Sequence, residues 1–189
     1  MVNKKIRNAT ESRVKGITFK SQLEKMVYNT LLQYGIEPQY EPTTFTLWDK
    51  FKPITPFYDQ ETPKQRDKRD PSSPKMLILK TSPIEGIKYT PDFYFEYNGL
   101  HVYIEAKGIE NDVFYIKKKM FRYYLDQKLL KDGWKSIYFE IYTKKQLLQA
   151  LKIIEEYGRG FTETNSATNP EPSPEGRSFG KKVRGRKKL

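Results

Sequence analysis

The chain has 189 residues, 37% of them hydrophobic, and carries a formal net charge of +12. It has no cysteine, which excludes disulfides and cysteine-based zinc sites, and its low hydrophobic share predicts that part of the chain lies outside the folded core. Residues 1–16 contain no apolar run, and no segment approaches the ~18 apolar residues of a transmembrane helix, so we expect neither a signal peptide nor a membrane partner.

Positive charge is concentrated at the two ends of the chain. Residues 1–20 carry a net charge of +5 and residues 177–189 a net charge of +7, which leaves the residues between them neutral overall. Basic ends of this kind bind nucleic acids through phosphate contacts, although a solubilising tail or a nuclear-import signal would have the same composition. The C-terminal basic residues that we expect to contact nucleic acid are Lys181, Lys182, Arg184, Arg186, Lys187 and Lys188.

The first half of the chain predicts one helix and two strands. Residues 1–18 are expected to form a flexible basic arm. Apolar residues at helical spacing predict a helix over residues 21–34, and loose alternation predicts a strand over residues 39–48. Residues 49–75 are rich in proline and charge, so we expect a long inserted loop there, followed by a short strand over residues 76–80.

The clearest predicted element is a β-hairpin. Its strands, residues 89–97 and 100–107, are rich in aromatic and β-branched residues and are joined by Asn98-Gly99, the strongest short-range hairpin signal. Alternation along the strands predicts one face that builds the core. The residues of that face are Phe93, Phe95, Tyr97, Leu100, Val102, Ile104 and Ala106.

The hairpin register brings two carboxylates together. A two-residue turn pairs Tyr97 with Leu100, and counting outward from this pair predicts that Asp92 lies opposite Glu105. Directly opposed side chains have Cβ atoms ~4.5–5.5 Å apart, and like charges at that distance destabilise a sheet. A Mg²⁺ or Mn²⁺ ion bound by both carboxylates would remove the repulsion, and Lys107 points to the same face. The alternative is that Lys107 simply neutralises the pair.

The remaining elements are predicted in the order helix, strand, helix. The first helix covers residues 112–130, the strand covers residues 136–142, and the second helix runs from Thr143 to about Tyr157. Residues 158–189 are rich in Gly, Pro, Ser and Thr and are expected to form a disordered basic tail. Together the elements predict an α/β fold, with a mixed β-sheet flanked by helices.

The helix over residues 112–130 combines basic and aromatic side chains. Its basic residues that we expect to contact the DNA backbone are Lys117, Lys118, Lys119 and Arg122. The aromatic residues on the same helix are expected to lie in the core. The alternative is an amphipathic helix whose basic face is only solvated.

At the hairpin the sequence resembles the PD-(D/E)XK nucleases. The residues that match the signature are Pro91, Asp92, Glu105, Ala106 and Lys107. Three blocks also match, in order, the phage endonuclease I group of Holliday-junction resolvases: Phe19–Glu24, Tyr89–Phe93 and Ile104–Gly108. The resemblance implies a restriction-endonuclease-like core of order α-β-β-β-α-β, formed by residues 19–157 with residues 49–75 inserted.

The resemblance also assigns roles to the acidic residues. Asp92 and Glu105 would bind Mg²⁺ or Mn²⁺, and Lys107 would orient the attacking water or offset charge on the phosphate. Glu24 would complete the acidic site and help to hold a second ion. Glu24 has a second interpretation, because residues 21–24 form a capping box in which the glutamate binds back to the start of the helix.

The function that the resemblance implies is hydrolysis of phosphodiester bonds by a Mg²⁺-dependent endodeoxyribonuclease. Branched DNA is the expected substrate, and the product carries a 5′-phosphate. The alternatives are a restriction-type or repair nickase of the same fold and a nucleic-acid-binding protein without catalytic activity. The resemblance also implies a homodimer, and a phage-encoded protein that acts in the cytoplasm of the host cell.

Overall fold

A computed structural model of the chain describes residues 12–62, 74–108 and 110–166, except for the side chains of Ser12 and of residues 160–166. The predictions for the first 11 residues and for the six C-terminal basic residues therefore lie outside the described residues. The chain divides into two units. Unit 1 comprises the residues up to Phe45 and those from Tyr89 onward, and unit 2 is Thr46–Lys88.

The described elements form a mixed α/β fold, as predicted. The helices are α1 (Gln22–Gln33), α2 (Asp112–Asp132) and α3 (Lys144–Ser166). The strands are β1 (Ser12–Val14), β2 (Ile17–Phe19), β3 (Gln39–Tyr40), β4 (Phe45–Trp48), β5 (Phe57–Gln60), β6 (Leu77–Lys80), β7 (Ile87–Tyr89), β8 (Phe93–Tyr97), β9 (Leu100–Ala106) and β10 (Ser136–Ile141). No helix in the described part of the chain is long and apolar enough to cross a membrane.

Unit 1 is built on a mixed sheet with the strand order β10-β9-β8-β3. Strand β9 pairs in parallel with β10 and antiparallel with β8, which pairs antiparallel with β3. The β8–β9 register pairs Tyr97 with Leu100 and Phe93 with Ile104, so the predicted two-residue hairpin is confirmed. Its turn residues Asn98 and Gly99 have the positive φ angles, 49° and 77°, that such a turn requires.

The core lies on one face of this sheet, beneath α1 and α3. Phe93, Val102 and Ile104 are completely buried there, together with Leu31 of α1 and Leu147 of α3. The predicted core face of the hairpin is therefore confirmed, because alternation along both strands directs the apolar side chains to the same side.

The opposite face of the hairpin is covered as well. Helix α2 packs Phe121 against it, edge-on to Tyr103 at a centroid distance of 5.5 Å. Tyr103 is consequently only 3% exposed. The sheet is therefore buried on both sides where β9 passes beneath α2, and any polar group on that stretch of β9 has little contact with water.

The ends of the helices agree with the expected signals, except for the C-terminal end of α3. Ser21 caps α1, and Gly133 ends α2 in the left-handed conformation with a φ of 67°. Thr143 accepts a hydrogen bond from the amide of Gln146 at the start of α3. Helix α3 continues to Ser166, beyond the predicted end at Tyr157, so residues 158–166 are helical rather than part of a disordered tail.

The prediction of a flexible arm over residues 1–18 is wrong from residue 12 onward. Strands β1 and β2 form a small hairpin there, with Lys15 and Gly16 at positive φ. The hairpin is anchored by Phe19, which is completely buried and lies 5.0 Å from the ring of Tyr28. Strands of three residues are too short to show a clear alternating pattern, so this hairpin was missed.

Two further sequence predictions need correction. The single strand expected over residues 39–48 is two strands, β3 and β4, because Glu41 takes a positive φ of 44° and Pro42 follows it. The long loop expected over residues 49–75 contains strand β5, which pairs antiparallel with β6 in unit 2. This pairing joins segments separated by many residues, so local sequence patterns do not indicate it.

Substitution of Gly99 tests the confirmed turn. We expect Gly99→Ala to lower the free energy of unfolding by about 1 kcal/mol, because a Cβ atom is strained at a φ of 77°. That loss corresponds to a fall in Tm of about 2–4 °C. Gly108→Ala is the matched control, since a Cβ there meets no described atom within 4 Å and the φ lies outside the strained range. Equal losses in the two variants would contradict the assignment of the turn.

Candidate active site

Asp92 is held at the start of β8 by contacts with two neighbouring strands. Its Oδ2 accepts a hydrogen bond from the amide of Ala106 on β9 at 2.8 Å. Its main-chain oxygen accepts another from the amide of Glu41, next to β3, also at 2.8 Å. Because both the side chain and the backbone of Asp92 are bound, the carboxylate is held at the end of the β8–β9 ladder.

Glu105 lies near the end of β9 and is only 5% exposed. Its two oxygens have different partners. The hydroxyl of Tyr89 donates to Oε2 at 2.7 Å, and the ammonium of Lys107 lies 3.4 Å from Oε1. Lys107 Nζ also lies 4.1 Å from the centre of the Phe114 ring, where the π-face favours a cation.

Burial raises the pKa of both carboxyl groups, and neighbouring acidic charges add to the rise. Burial raises the pKa of Asp92 from 3.8 to about 8, and the charge of Glu105 adds to the rise, whereas the Ala106 amide and Lys107 oppose it. Burial also raises the pKa of Glu105, against the opposing effects of the Tyr89 hydrogen bond and of Lys107. Lys107 lowers the pKa of both groups but does not offset the effect of burial, and a further positive charge would stabilise both anions.

Glu24 is bound as a helix cap. Its Oε1 accepts from the hydroxyl of Ser21 at 2.8 Å, and its Oε2 accepts from the amide of Lys20 at 3.0 Å and from the hydroxyl of Tyr40 at 2.6 Å. The amide of Glu24 donates to Ser21 Oγ at 3.1 Å, as in a capping box, and the carboxylate binds back to the amide of Lys20, one residue before the predicted Ser21.

The charge of Glu24 nevertheless raises the pKa of both Asp92 and Glu105. The three acidic side chains therefore belong to one electrostatic cluster. Within this cluster, only Glu24 accepts hydrogen bonds of 3.0 Å or shorter on both carboxylate oxygens. This favours a role in capping α1 over a role as a metal ligand.

Two of the predicted DNA-contacting residues are ion-paired. The parallel register of β9 and β10 puts Glu140 beside Glu105. Lys118, which is 8% exposed, lies 2.9 Å from Glu140 and 2.9 Å from Glu110, and Arg122 lies 2.5 Å from Glu140. Lys118 and Arg122 therefore neutralise Glu140, the glutamate next to Glu105 in the sheet. The sequence of the helix alone does not indicate these ion pairs.

The other basic residues of α2 face outward to different degrees. Lys119 is exposed, with Nζ 4.2 Å from the centre of the Tyr115 ring, and Lys117 is partly buried. The expectation that the aromatic residues of this helix lie in the core is wrong for Tyr115 and Tyr123, which are 50% and 66% exposed.

The side chains that hold the carboxylates were not predicted from the sequence. Tyr89 binds Glu105 and Tyr40 binds Glu24, but neither tyrosine was assigned a role. Tyr89 belongs to the Tyr-Thr-Pro-Asp block that ends in Asp92, so its position was visible in the sequence. Its hydrogen-bond partner was not, because Glu105 lies 16 residues away.

The donor atoms suit a hard divalent cation. Across residues 12–62, 74–108 and 110–166, no group of three or more acidic or histidine side chains is arranged to hold a metal ion. The remaining candidate ligands are Asp92 Oδ1, which accepts no hydrogen bond from any described residue, and Glu105 Oε1, which has only the 3.4 Å contact with Lys107. A buried carboxylate oxygen without a donor is the type of ligand that Mg²⁺ and Mn²⁺ prefer.

No protein-family model, no curated protein and no solved structure matches the chain.

The raised pKa of Asp92 predicts a pH-dependent stability when a chelator removes metal ions. The folded state binds the Asp92 proton more tightly than the unfolded state does, so its contribution to stability is complete below about pH 4 and is lost as the pH rises to about 8. We expect Asp92→Asn to remove most of this loss and to raise Tm at pH 8 by more than about 2 °C, with no gain at pH 4.

Asp126→Asn is the control for this experiment, because Asp126 is an exposed residue of α2. The asparagine at position 92 keeps an oxygen that can accept from the Ala106 amide. Thermal unfolding between pH 4 and pH 8 provides the measurement. If Asp92→Asn changes Tm equally at both pH values, the raised pKa of Asp92 is not the source of the pH dependence.

Proposed function

We propose that the chain is a divalent-metal-dependent endodeoxyribonuclease of the PD-(D/E)XK type. The observation that carries the proposal is the cluster of Asp92, Glu105 and Lys107. Glu105 is buried and Asp92 is half-buried, the charge of Glu105 raises the pKa of Asp92, and Lys107 lies beside Glu105. Metal-assisted phosphodiester hydrolysis requires this combination of anionic ligands and a nearby cation.

The order of elements in unit 1 supports the proposal. Helix α1 is followed by β3, β8 and β9, then by α2 and β10. This order, together with three antiparallel strands and a parallel fourth strand, supports a restriction-endonuclease-like core of order α-β-β-β-α-β. In this proposal unit 2 is an insertion between the first and second strands of that core.

In this mechanism Asp92 and Glu105 would hold a Mg²⁺ or Mn²⁺ ion. Such an ion, when bound, polarises the phosphate and lowers the pKa of a bound water. Lys107 keeps its ammonium near Glu105, where it orients the attacking water or offsets charge that develops on the phosphate. Asp92 is presented with one oxygen engaged by the Ala106 amide, so the orientation of the free oxygen is defined before the substrate arrives.

Branched DNA is the proposed substrate. This proposal rests on the resemblance to phage endonuclease I-type resolvases. Lys117 and Lys119 on α2 and the basic residues near the C-terminus are proposed to bind phosphates. Lys118 and Arg122 are instead proposed to neutralise Glu140, because both are ion-paired with it. A homodimer and action in the cytoplasm of a phage-infected host are proposed on the same resemblance.

The second candidate function is a DNA-binding protein of the same fold without catalysis. The observation that favours it is that no three acidic or histidine side chains in the described part of the chain form a ready metal site. A wild-type protein that binds junctions but does not cut them with either Mg²⁺ or Mn²⁺ would support this candidate.

Asp92→Asn tests the catalytic proposal directly. We expect Mg²⁺-dependent cleavage of a synthetic four-way junction to fall at least about 100-fold, because the variant loses an anionic ligand. Binding to the same junction in a chelator should be retained, since asparagine preserves the shape of the side chain. Nicking assays on junction, flap, single-stranded and linear DNA would measure the substrate preference, with Asp126→Asn as the control.

Two lysines of α2 separate DNA contact from structural ion pairing. We expect Lys119→Gln to weaken DNA binding and to reduce the slope of log affinity against log salt by about 0.9, the value for one phosphate contact. Lys118→Gln should instead lower Tm, because it leaves Glu140 and Glu110 without this buried partner. Salt titrations of junction binding and thermal unfolding measure the two effects. An unchanged slope for Lys119→Gln would remove this residue from the DNA interface.

A further inference from the structure

Two tyrosine hydroxyls form a chain behind Glu105. Tyr89 Oη lies 2.7 Å from Glu105 Oε2 and 3.1 Å from Tyr138 Oη. Tyr89 is 6% exposed, and the ring of Phe121 from α2 packs at 4.8 Å from the Tyr89 ring and 5.5 Å from the Tyr138 ring. The hydrogen bond between Tyr89 and Glu105 therefore joins two buried residues, where water competes little, whereas Tyr138 is half-buried.

The number of protons fixes the direction of these hydrogen bonds. An ionised Glu105 can only accept, so Tyr89 must donate its single hydroxyl proton to Oε2. The contact between the two tyrosines then requires Tyr138 to donate to Tyr89. The direction of the chain is thus from Tyr138 through Tyr89 to Glu105, and each bond polarises the next.

We propose that Tyr89, oriented by Tyr138, is a positioning residue for Glu105 and sets the affinity of the site for divalent metal ions. By binding Oε2, Tyr89 restricts the rotation of the glutamate and leaves Oε1, on the Lys107 side, as the oxygen available to a cation. This inference rests on the proposed function, because it assumes that Glu105 is a ligand. Hydrogen bonds from residues behind a ligand typically change metal affinity by about 10–100-fold.

A purely structural role is the rival explanation, in which Tyr89 only satisfies a buried carboxylate. That role predicts a loss of stability without a change in the metal affinity of the folded protein. The positioning role predicts a change in affinity even where the protein is fully folded. Metal affinity measured well below Tm therefore distinguishes the two explanations.

Tyr89→Phe is the decisive variant, since it removes one oxygen and retains the ring against Phe121. We expect the Kd for Mn²⁺, measured by calorimetry without DNA, to rise about 10–100-fold. Tyr138→Phe should raise it less. The double variant should match Tyr89→Phe, because Tyr138 acts only through Tyr89, and non-additivity of this kind is expected within one hydrogen-bond network.

Tyr142→Phe is the matched control. Its hydroxyl also lies within hydrogen-bond distance of carboxylates, those of Glu110 and Glu140, but it makes no described hydrogen bond to Glu105. Its Mn²⁺ affinity should equal that of the wild type. Circular dichroism at the same temperature establishes that each variant is folded, and if Tyr89→Phe does not fold, a raised Kd in Tyr138→Phe supports the proposal and an unchanged one overturns it.

The outcomes separate this inference from the proposed function. A wild type that binds neither Mn²⁺ nor Mg²⁺ overturns the proposed function, and the inference with it. A wild type that binds Mn²⁺, together with a Tyr89→Phe variant of equal affinity, overturns the positioning role alone. Additive effects of the two substitutions would overturn the chain from Tyr138 to Glu105.

Discussion

The repulsion between Asp92 and Glu105 is the constraint on which the arrangement of unit 1 depends. Neither residue can move away from the other without breaking backbone hydrogen bonds. Asp92 is bound to Ala106 and Glu41, and Glu105 lies on β9, which is paired on both sides by β8 and β10. Since separation is prevented, the charge must be compensated by a proton or by a cation.

The surrounding fold compensates some acidic groups and leaves others uncompensated. Glu140 lies beside Glu105 in the sheet, but α2 supplies Glu140 with Lys118 and Arg122. Among the described residues, the only cation that contacts Glu105 is the more distant Lys107. The aromatic residues beneath α2 exclude water from the same region, which makes the unequal distribution of cations more important. The uncompensated charge is thus concentrated on the pair to which the proposed mechanism assigns the metal.

Some of this arrangement could be predicted from sequence because it depends on local patterns. The two-residue turn at Asn98-Gly99 and the alternation of two neighbouring strands were sufficient to predict the register of the hairpin from Tyr97–Leu100 to Phe93–Ile104. The capping box at Ser21 was equally visible. The acceptor of the Tyr89 hydroxyl and the ion pairs of Lys118 could not be predicted, because their partners come from distant parts of the chain. The β5–β6 pairing in unit 2 was missed for the same reason.

The bond from Ala106 to Asp92 gives the protein a built-in spectroscopic reporter. The amide proton of Ala106 contacts a carboxylate oxygen where a strand would normally offer a carbonyl. Its chemical shift and its rate of exchange with deuterium therefore respond to the charge state of one aspartate. The amide resonance of Ala106 can thus follow protonation or cation binding at Asp92 without a substitution in the chain and without a measurement of catalytic activity.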